Sequence, residues 1–270
     1  MINNSKTQNP HNQTPQDETA RFGYQEVPAR EKGKLVQKHF DSIARKYDFM
    51  NTLLSFGLHY LWKRTAVKMM GLKPGSRVLD VCGGTADLAI LAARYVGAEG
   101  KVIVYDFNRA MMEAGKSKVH KALLDGRIRY VQGDAEQISF PEASFDAAMV
   151  GFGIRNLTHM EKGFAEMYRV LKPGGTLMCL EFSRPANPLF RLLYDTYSFY
   201  IMPFIGQLLA GSRLAYTYLP ESIRLFPPPD ELSAILRNIG LSTVTWRRLT
   251  NGIAVAHVGE KQILAESSWL

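Results

Sequence analysis

The chain has 270 residues, 46% of them hydrophobic and 21% charged, enough apolar material for one substantial core plus an appendage. Its two cysteines, Cys82 and Cys179, both lie inside apolar runs, which excludes a disulfide framework or a zinc cluster and points to buried thiols in a reducing compartment. The formal charge of +8 is uneven: residues 34–73 carry eight Lys and Arg against Asp41 and Asp48, a pattern that serves nucleic acid, anionic lipid headgroups or mere solubility.

In chain order, residues 1–21 are rich in Asn, Gln, Thr and Pro and lack the apolar core of a secretory signal. They read as a disordered tail on a cytosolic protein, so the sequons at Asn12 and Asn156 read as chance matches. Residues 22–73 form an N-terminal helical cap contributing to a substrate pocket, and 74–260 the main domain. There, short apolar strands at 77–81, 101–105, 128–132, 145–150 and 176–182 alternate with helices over 87–96, 109–124 and 160–171, the pattern of an α/β domain with a mostly parallel sheet. Lys172-Pro173-Gly174-Gly175 ends the third helix and allows reversal into a strand. A Tyr- and Phe-rich helical insertion spans about 186–226, followed by a helix with Asp230 near its start and Gly240 at its stop, strands at 241–249 and 252–259, and a tail over 261–270. The most apolar stretch, 197–211, contains Pro203 and Gln207 and is shorter than the ~20 residues a membrane span needs. A helical hairpin covering a site is the better reading.

The segment VLDVCGGTADLAILAARYV (78–96) passes from a strand through a Gly-Gly turn into a helix. A dinucleotide pyrophosphate calls for GxGxxG, and only Gly83 and Gly84 are present. Asp80 and Asp87 flank the turn and would repel a diphosphate; they suit a cationic or zwitterionic ligand such as S-adenosylmethionine. Asp106 at the end of the second strand can accept both ribose hydroxyls, and Gly133-Asp134-Ala135 ends the third strand as an adenine contact.

At these residues the chain resembles the class I S-adenosylmethionine-dependent methyltransferases. The resemblance implies a Rossmann-like fold with a seven-stranded, mostly parallel sheet flanked by helices, and cofactor binding by Gly83, Gly84, Thr85, Asp106, Asp134, Ala135 and Gly151. Cys82 and Ala86 stand where glycine is usual in the wider class. KYDFMNTLLSFGLHYLWKR (46–64), GFGIRNL (151–157) and YRVLKPGGTLMCLEFS (168–183) together resemble the menaquinone and ubiquinone biosynthesis C-methyltransferases, over nearly everything except the two tails.

That resemblance implies methylation of a polyprenylated quinol ring, with demethylmenaquinol the first choice and the benzoquinol of ubiquinone synthesis the alternative. It implies S-adenosylmethionine as co-substrate, no metal and no nucleic acid. It also implies a cytoplasmic protein held peripherally at the inner membrane face by the basic segment and the apolar insertion, with a homodimer or a quinone-synthesis complex left open. For the ring pocket the candidates are Tyr47, Asn51, His59, Arg155 and Asn156. Arg155 is a fixed cation for a developing phenolate, with a loop-fixing salt bridge as its alternative role; Asn156 orients a hydroxyl or water. His59 titrates near neutrality and is the candidate base, against a plain role in capping or packing a helix.

AGKSK (114–118) mimics the tail of a phosphate loop, but Ala110 replaces its first glycine and the stretch is helical. A nucleic-acid methyltransferase would carry an NPPY-like clamp after the fourth strand, where this chain has GFGIRN. A noncatalytic cofactor-binding scaffold and a small-molecule O- or N-methyltransferase are the other rivals.

Overall fold

A computed structural model describes residues 18–211 and 213–263, with nothing assigned to the side chains of 213 and 214. The chain opens on an antiparallel hairpin, β1 (Thr19–Phe22) and β2 (Gln25–Pro28). This corrects the expected tail, because Thr19, Ala20 and Arg21 lie in β1. The Phe22 ring is buried and stacks on Tyr218 at 4.3 Å, an anchor that composition does not reveal. Residues 1–17 of that tail, Asn12 included, lie outside the described residues.

Three helices follow: α1 (Ala29–Ile43), α2 (Tyr47–Leu54) and α3 (Leu58–Met69). The main domain then runs β3 (Arg77–Val81), α4 (Asp87–Val96), β4 (Lys101–Asp106), α5 (Arg109–Lys121), β5 (Ile128–Gln132), β6 (Phe145–Gly151), α6 (Met160–Val170) and β7 (Leu171–Phe182). Asn108 caps α5 by accepting the Met111 N–H at 2.9 Å. That helix stops short of Leu124 because Leu123 adopts a left-handed φ of 57°. Leu171, expected to end a helix, already pairs with Phe145 as the first residue of β7, ahead of the Pro-Gly-Gly irregularity.

The insertion is helical, as read: α7 (Pro188–Thr196), a π-helical turn over Tyr197–Ile201, α8 (Met202–Ile205), a second π-helical turn over Gly206–Ala210, and α9 (Arg213–Leu225). The chain closes with α10 (Pro229–Asn238), β8 (Leu241–Leu249) and β9 (Ala254–Lys261). Lys261 belongs to β9 rather than to a tail, since its ammonium donates to the Tyr168 and Leu171 carbonyls at 3.0 and 2.8 Å. Residues 264–270 lie outside the described residues.

The seven-stranded sheet has the order β5-β4-β3-β6-β7-β9-β8, parallel except for β9, which runs antiparallel to both neighbours. The central strands are covered on both faces, which is why they read as continuous apolar runs. Val78, Val102 and Val104 pack with α3 and α4 on one side, while Leu79, Val81 and Ile103 pack with α6 and α10 on the other. Strand order reverses between β3 and β6, so a crevice opens at their carboxyl ends, where open α/β sheets bind ligands. Among the described residues no helix is long and apolar enough to cross a membrane.

Candidate active site

The crevice is built by four strand ends. After β3 the turn is tight: a Cβ on Gly83 would sit 2.9 Å from the Asp80 carbonyl oxygen, and Gly84 has φ +48°. Cys82 and Ala86 also adopt positive φ, 53° and 67°. A left-handed residue with a side chain costs about 1–2 kcal/mol, the reason glycine is usual at both places. Asp106, at the end of β4, accepts the Gly84 N–H at 2.8 Å and the Asn108 N–H at 2.7 Å, tying the second strand to the turn. Asp134 accepts the Glu136 N–H at 2.8 Å. Gly83, Gly84, Thr85, Asp106, Asp134, Ala135 and Gly151 line one cavity of about 440 Å³, with α1 forming its roof.

The roof is fastened at three points. Lys32 donates to the Leu157 carbonyl at 2.5 Å, Asn108 to Asp41 at 2.8 Å, and Thr85 to Asp48 at 2.7 Å. Lys118 joins the last of these, 2.7 Å from Asp48 and 2.5 Å from Asp87, which also pairs with Lys63 at 2.6 Å. Asp87 is therefore spent on two lysines and does not present free charge to a cationic ligand, which corrects the expectation from its position. Burial pushes its carboxyl up, but Lys63 and Lys118 outweigh burial and hold it at about 2. Lys63 likewise leaves the basic surface for the interior. Lys118 comes from the AGKSK stretch, which is indeed helical.

Asp80 also lines the cavity, as Asp87, Asp106 and Asp134 do. It lies under the turn and accepts the Ala89 N–H at 3.0 Å, and burial raises its carboxyl to about 8. Burial likewise raises Asp106 to about 6, against the pull of its two N–H donors.

A second cavity of about 380 Å³ adjoins the first and is walled by α1, α2, α3 and the insertion. Its lining is largely aromatic and aliphatic, and it holds Tyr47, Asn51, His59 and Arg155 of the expected ring pocket. Phe40, Tyr47, Lys63 and Phe152 line both cavities and form the partition. Asn156 is the exception among the five. It lines the cofactor cavity, and its Oδ1 accepts the Tyr218 hydroxyl at 2.9 Å. The reason is local: Ile154–Asn156 is a 3₁₀ turn, in which successive side chains diverge by ~120°, so Arg155 and Asn156 enter different cavities. Asn156 is also buried, which disposes of its sequon.

Arg155 is held by three groups: the Glu181 carboxylate at 2.9 Å, the Phe152 carbonyl and the Ser222 hydroxyl at 3.3 Å. The loop-fixing salt bridge, the alternative role, is thus present. Burial pushes the Glu181 carboxyl up, and Arg155 pulls it back. His59 contacts the Thr52 hydroxyl at 3.2 Å through Nε2, while its buried Nδ1 has no partner. Burial, helped by Lys63, lowers it to about 4, so it is neutral at physiological pH and a weak base. Burial raises Tyr47, and a hydrogen bond with Asn51 opposes that rise.

Sequence reasoning missed Glu181, although it sits in the quoted LEFS block, and missed Tyr218, Asp48, Lys63 and Lys118 as a working set. It also missed His39, which lines the ring cavity and is lowered to about 4 by burial and by Arg155. Among the described residues no group of three or more His, Cys, Asp or Glu is placed to hold a metal.

The sequence profile of the ubiE/COQ5 methyltransferase family matches residues 28–261, which takes in the crevice and every residue lining the two cavities except Glu18. The chain belongs to that family. A "Ubiquinone/menaquinone biosynthesis C-methyltransferase UbiE" of Ectopseudomonas mendocina is 44% identical over 252 residues, covering 93% of this chain and 98% of the relative. The protein of the same name in Marinomonas sp. is 43% identical over 249 residues, covering 92% and 99%.

Solved structures are similar in fold. An S-adenosylmethionine-dependent methyltransferase from Aquifex aeolicus superposes with TM-score 0.51 at 21% identity, covering 73% of this chain and 88% of that one. A possible histamine N-methyltransferase from Thermotoga maritima gives 0.59 at 20%, covering 83% and 99%. The [4+2]-cyclase SpnF gives 0.62 at 15%, covering 84% and 95%. The fold is the class I methyltransferase fold, the chain is a C-methyltransferase of ubiquinone/menaquinone biosynthesis type, and its co-substrate is S-adenosylmethionine. The first cavity suits that molecule: Asp106 offers carboxylate oxygens for a diol, and Asp80 stands ready for a cation where the glycine turn leaves no room for a side chain.

Proposed function

We propose that this chain methylates a ring carbon of demethylmenaquinol, with Gly83, Gly84, Thr85, Asp106, Asp134, Ala135 and Gly151 binding the co-substrate. The observation that carries the proposal is the shared partition: an apolar, aromatic chamber lies directly against the crevice, divided from it only by Phe40, Tyr47, Lys63 and Phe152. When bound, S-adenosylmethionine supplies an electrophilic methyl group on a sulfonium.

The chain's own groups prepare the nucleophile. A quinol ring carbon attacks best once a ring hydroxyl has lost its proton. Arg155, immobilised by Glu181 and Ser222, stabilises the phenolate without reorganising. His59, neutral and with Nδ1 unpartnered, is too weak a base to remove that proton beforehand and takes it as the methyl group transfers, while Tyr47 and Asn51 orient the ring. Asn156 acts from the cofactor side, its carbonyl fixed by Tyr218. The substrate's prenyl tail leaves through the apolar lining, and the enzyme works peripherally at the cytoplasmic membrane face.

A second reading, methylation of 2-methoxy-6-polyprenyl-1,4-benzoquinol, is favoured by the relatives' names, which join both quinones. Labelled methyl transfer to short-tailed demethylmenaquinol, to the benzoquinol and to a transfer-RNA pool separates these readings. The naphthoquinol should be the better acceptor, and Arg155→Met should lose turnover while keeping co-substrate affinity. Labelling of RNA alone would overturn the proposal.

A further inference from the structure

The proposed reaction has a proton to dispose of. As a neutral quinol takes up a methyl cation, a ring O–H bond breaks and its electrons pass into the ring. The ring carbon bonds to the methyl, and the former methyl–sulfur pair stays on sulfur. The hydrogen displaced from that carbon restores the hydroxyl, so one proton per turnover is left over. It arises inside a largely apolar chamber, where an unpaired charge is strongly disfavoured. Some group must carry it to water.

The corner between α2 and α3 holds a path. His59, in the first turn of α3, is buried, lines the chamber and has an unpartnered Nδ1. Its other nitrogen, Nε2, lies 3.2 Å from the Thr52 hydroxyl of α2. The Thr52 oxygen lies in turn 3.1 Å from the Tyr60 hydroxyl, and Tyr60 is 46% exposed. The corner is held in place: Ser55 donates to the Asn51 carbonyl at 2.6 Å and accepts the His59 backbone N–H at 3.4 Å, and the His59 and Tyr60 rings lie 3.9 Å apart. With Nδ1 free, the proton of the neutral imidazole sits on Nε2, facing Thr52. A hydroxyl both accepts and donates, and rotates to suit. At rest that of Thr52 donates to the Asp48 carbonyl at 2.9 Å, and a turn towards Tyr60 completes the chain. His39 also lines the chamber, but its ring packs against Phe22, Phe40 and Tyr218, and the Tyr218 hydroxyl is already given to Asn156 in a buried contact.

We infer that His59, Thr52 and Tyr60 form a proton relay from the ring chamber to the surface. Nδ1 takes the ring's proton as Nε2 releases its own to the Thr52 oxygen. The Thr52 proton passes to the Tyr60 oxygen, and the Tyr60 proton to water. A half-turn of the imidazole restores the starting tautomer. His59 meets the substrate, while Thr52 and Tyr60 act through it as positioning residues. The relay also explains how a weak base serves here: the charge moves on as it arrives, and no imidazolium has to persist near Lys63. The source of the proton rests on the quinol reading above; the path rests on the geometry alone.

The test uses the full chain, S-adenosylmethionine and a tail-less, soluble quinol. Thr52→Val removes the hydroxyl and keeps the branched shape; it should leave both affinities in place and lower the single-turnover rate at least about tenfold. Thr52→Ser should recover most of that rate. Tyr60→Phe keeps its ring beside His59 and should also be slowed, which decides the matter if Thr52→Val fails to fold. A second readout needs no quinol: exchange of the His59 ring N–H with water, followed by nitrogen NMR, should be at least about tenfold slower in Thr52→Val. Wild-type rates in Thr52→Val or Tyr60→Phe would overturn the relay. So would a loss that Thr52→Ser shares in full, or ring N–H exchange that Thr52→Val leaves unchanged. Failure of the wild type to methylate the quinol would instead overturn the proposed function, and the exchange measurement would still decide the path.

Discussion

Binding of S-adenosylmethionine at neutral pH should expel a proton from Asp80. This carboxyl lies under the glycine turn, and burial, reinforced by the Asp106 carboxylate nearby, raises it to about 8. At pH 7 a group with that value is roughly nine-tenths protonated. A cation within about 4–6 Å lowers a carboxyl by roughly one to three pH units, so the ligand's positive groups should release roughly 0.4–0.9 of a proton per molecule bound. Titration calorimetry in two buffers of different ionisation enthalpy reads this number directly. It should vanish in Asp80→Asn, and also well above pH 8, where the group is already ionised. The same carboxyl sets a stability trend in the free protein: the folded state holds the proton more tightly than the unfolded chain, so stability falls as pH rises from near 3.8 through about 8. Identical binding enthalpies in the two buffers at pH 7 would refute this account of how the cavity meets a cation.

Asp106→Asn should weaken co-substrate affinity by about a hundredfold, two charge-assisted bonds at roughly 1.5 kcal/mol each, and calorimetry finding less than about a threefold change would contradict the diol assignment. Arg155→Met strands Glu181 in the interior and should cost about 3–5 kcal/mol in denaturant unfolding. Adding Glu181→Gln should restore most of that stability without restoring turnover, and no recovery would mean that the ion pair does not hold the loop. The Asp87 pair contributes stability above the ordinary carboxylate value of 3.8 that is lost as pH falls through about 2, so Asp87→Asn should flatten the acid limb of the melting temperature.

The first five strands of the main sheet were legible because each is a short, mostly apolar run set off by Gly, Pro or Asp, and the central ones are buried on both faces. β1 was not: its four residues, TARF, hold a single buried anchor, and that anchor's partner, Tyr218, is nearly two hundred positions away. The glycine turn and Asp106 converge on one cavity because strand ends in a parallel sheet all point the same way. Charge was harder to read. Lys63 and Lys118 meet Asp87 across 24 and 31 positions, and Lys118 reaches back further still to Asp48, so a composition count places all four on the surface. Arg155 and Asn156 are neighbours in the chain, yet a single 3₁₀ turn sends one to the ring chamber and the other to the crevice.

The roof over the crevice has a kinetic corollary. α1 and α2 cover both chambers at once, hung from Leu157, Asn108 and Thr85 by three polar ties. The nucleoside's path out on this side therefore runs past those ties, so weakening any one of them should speed its release, whereas the ring chamber keeps a mouth of its own beside Phe56 and Leu193.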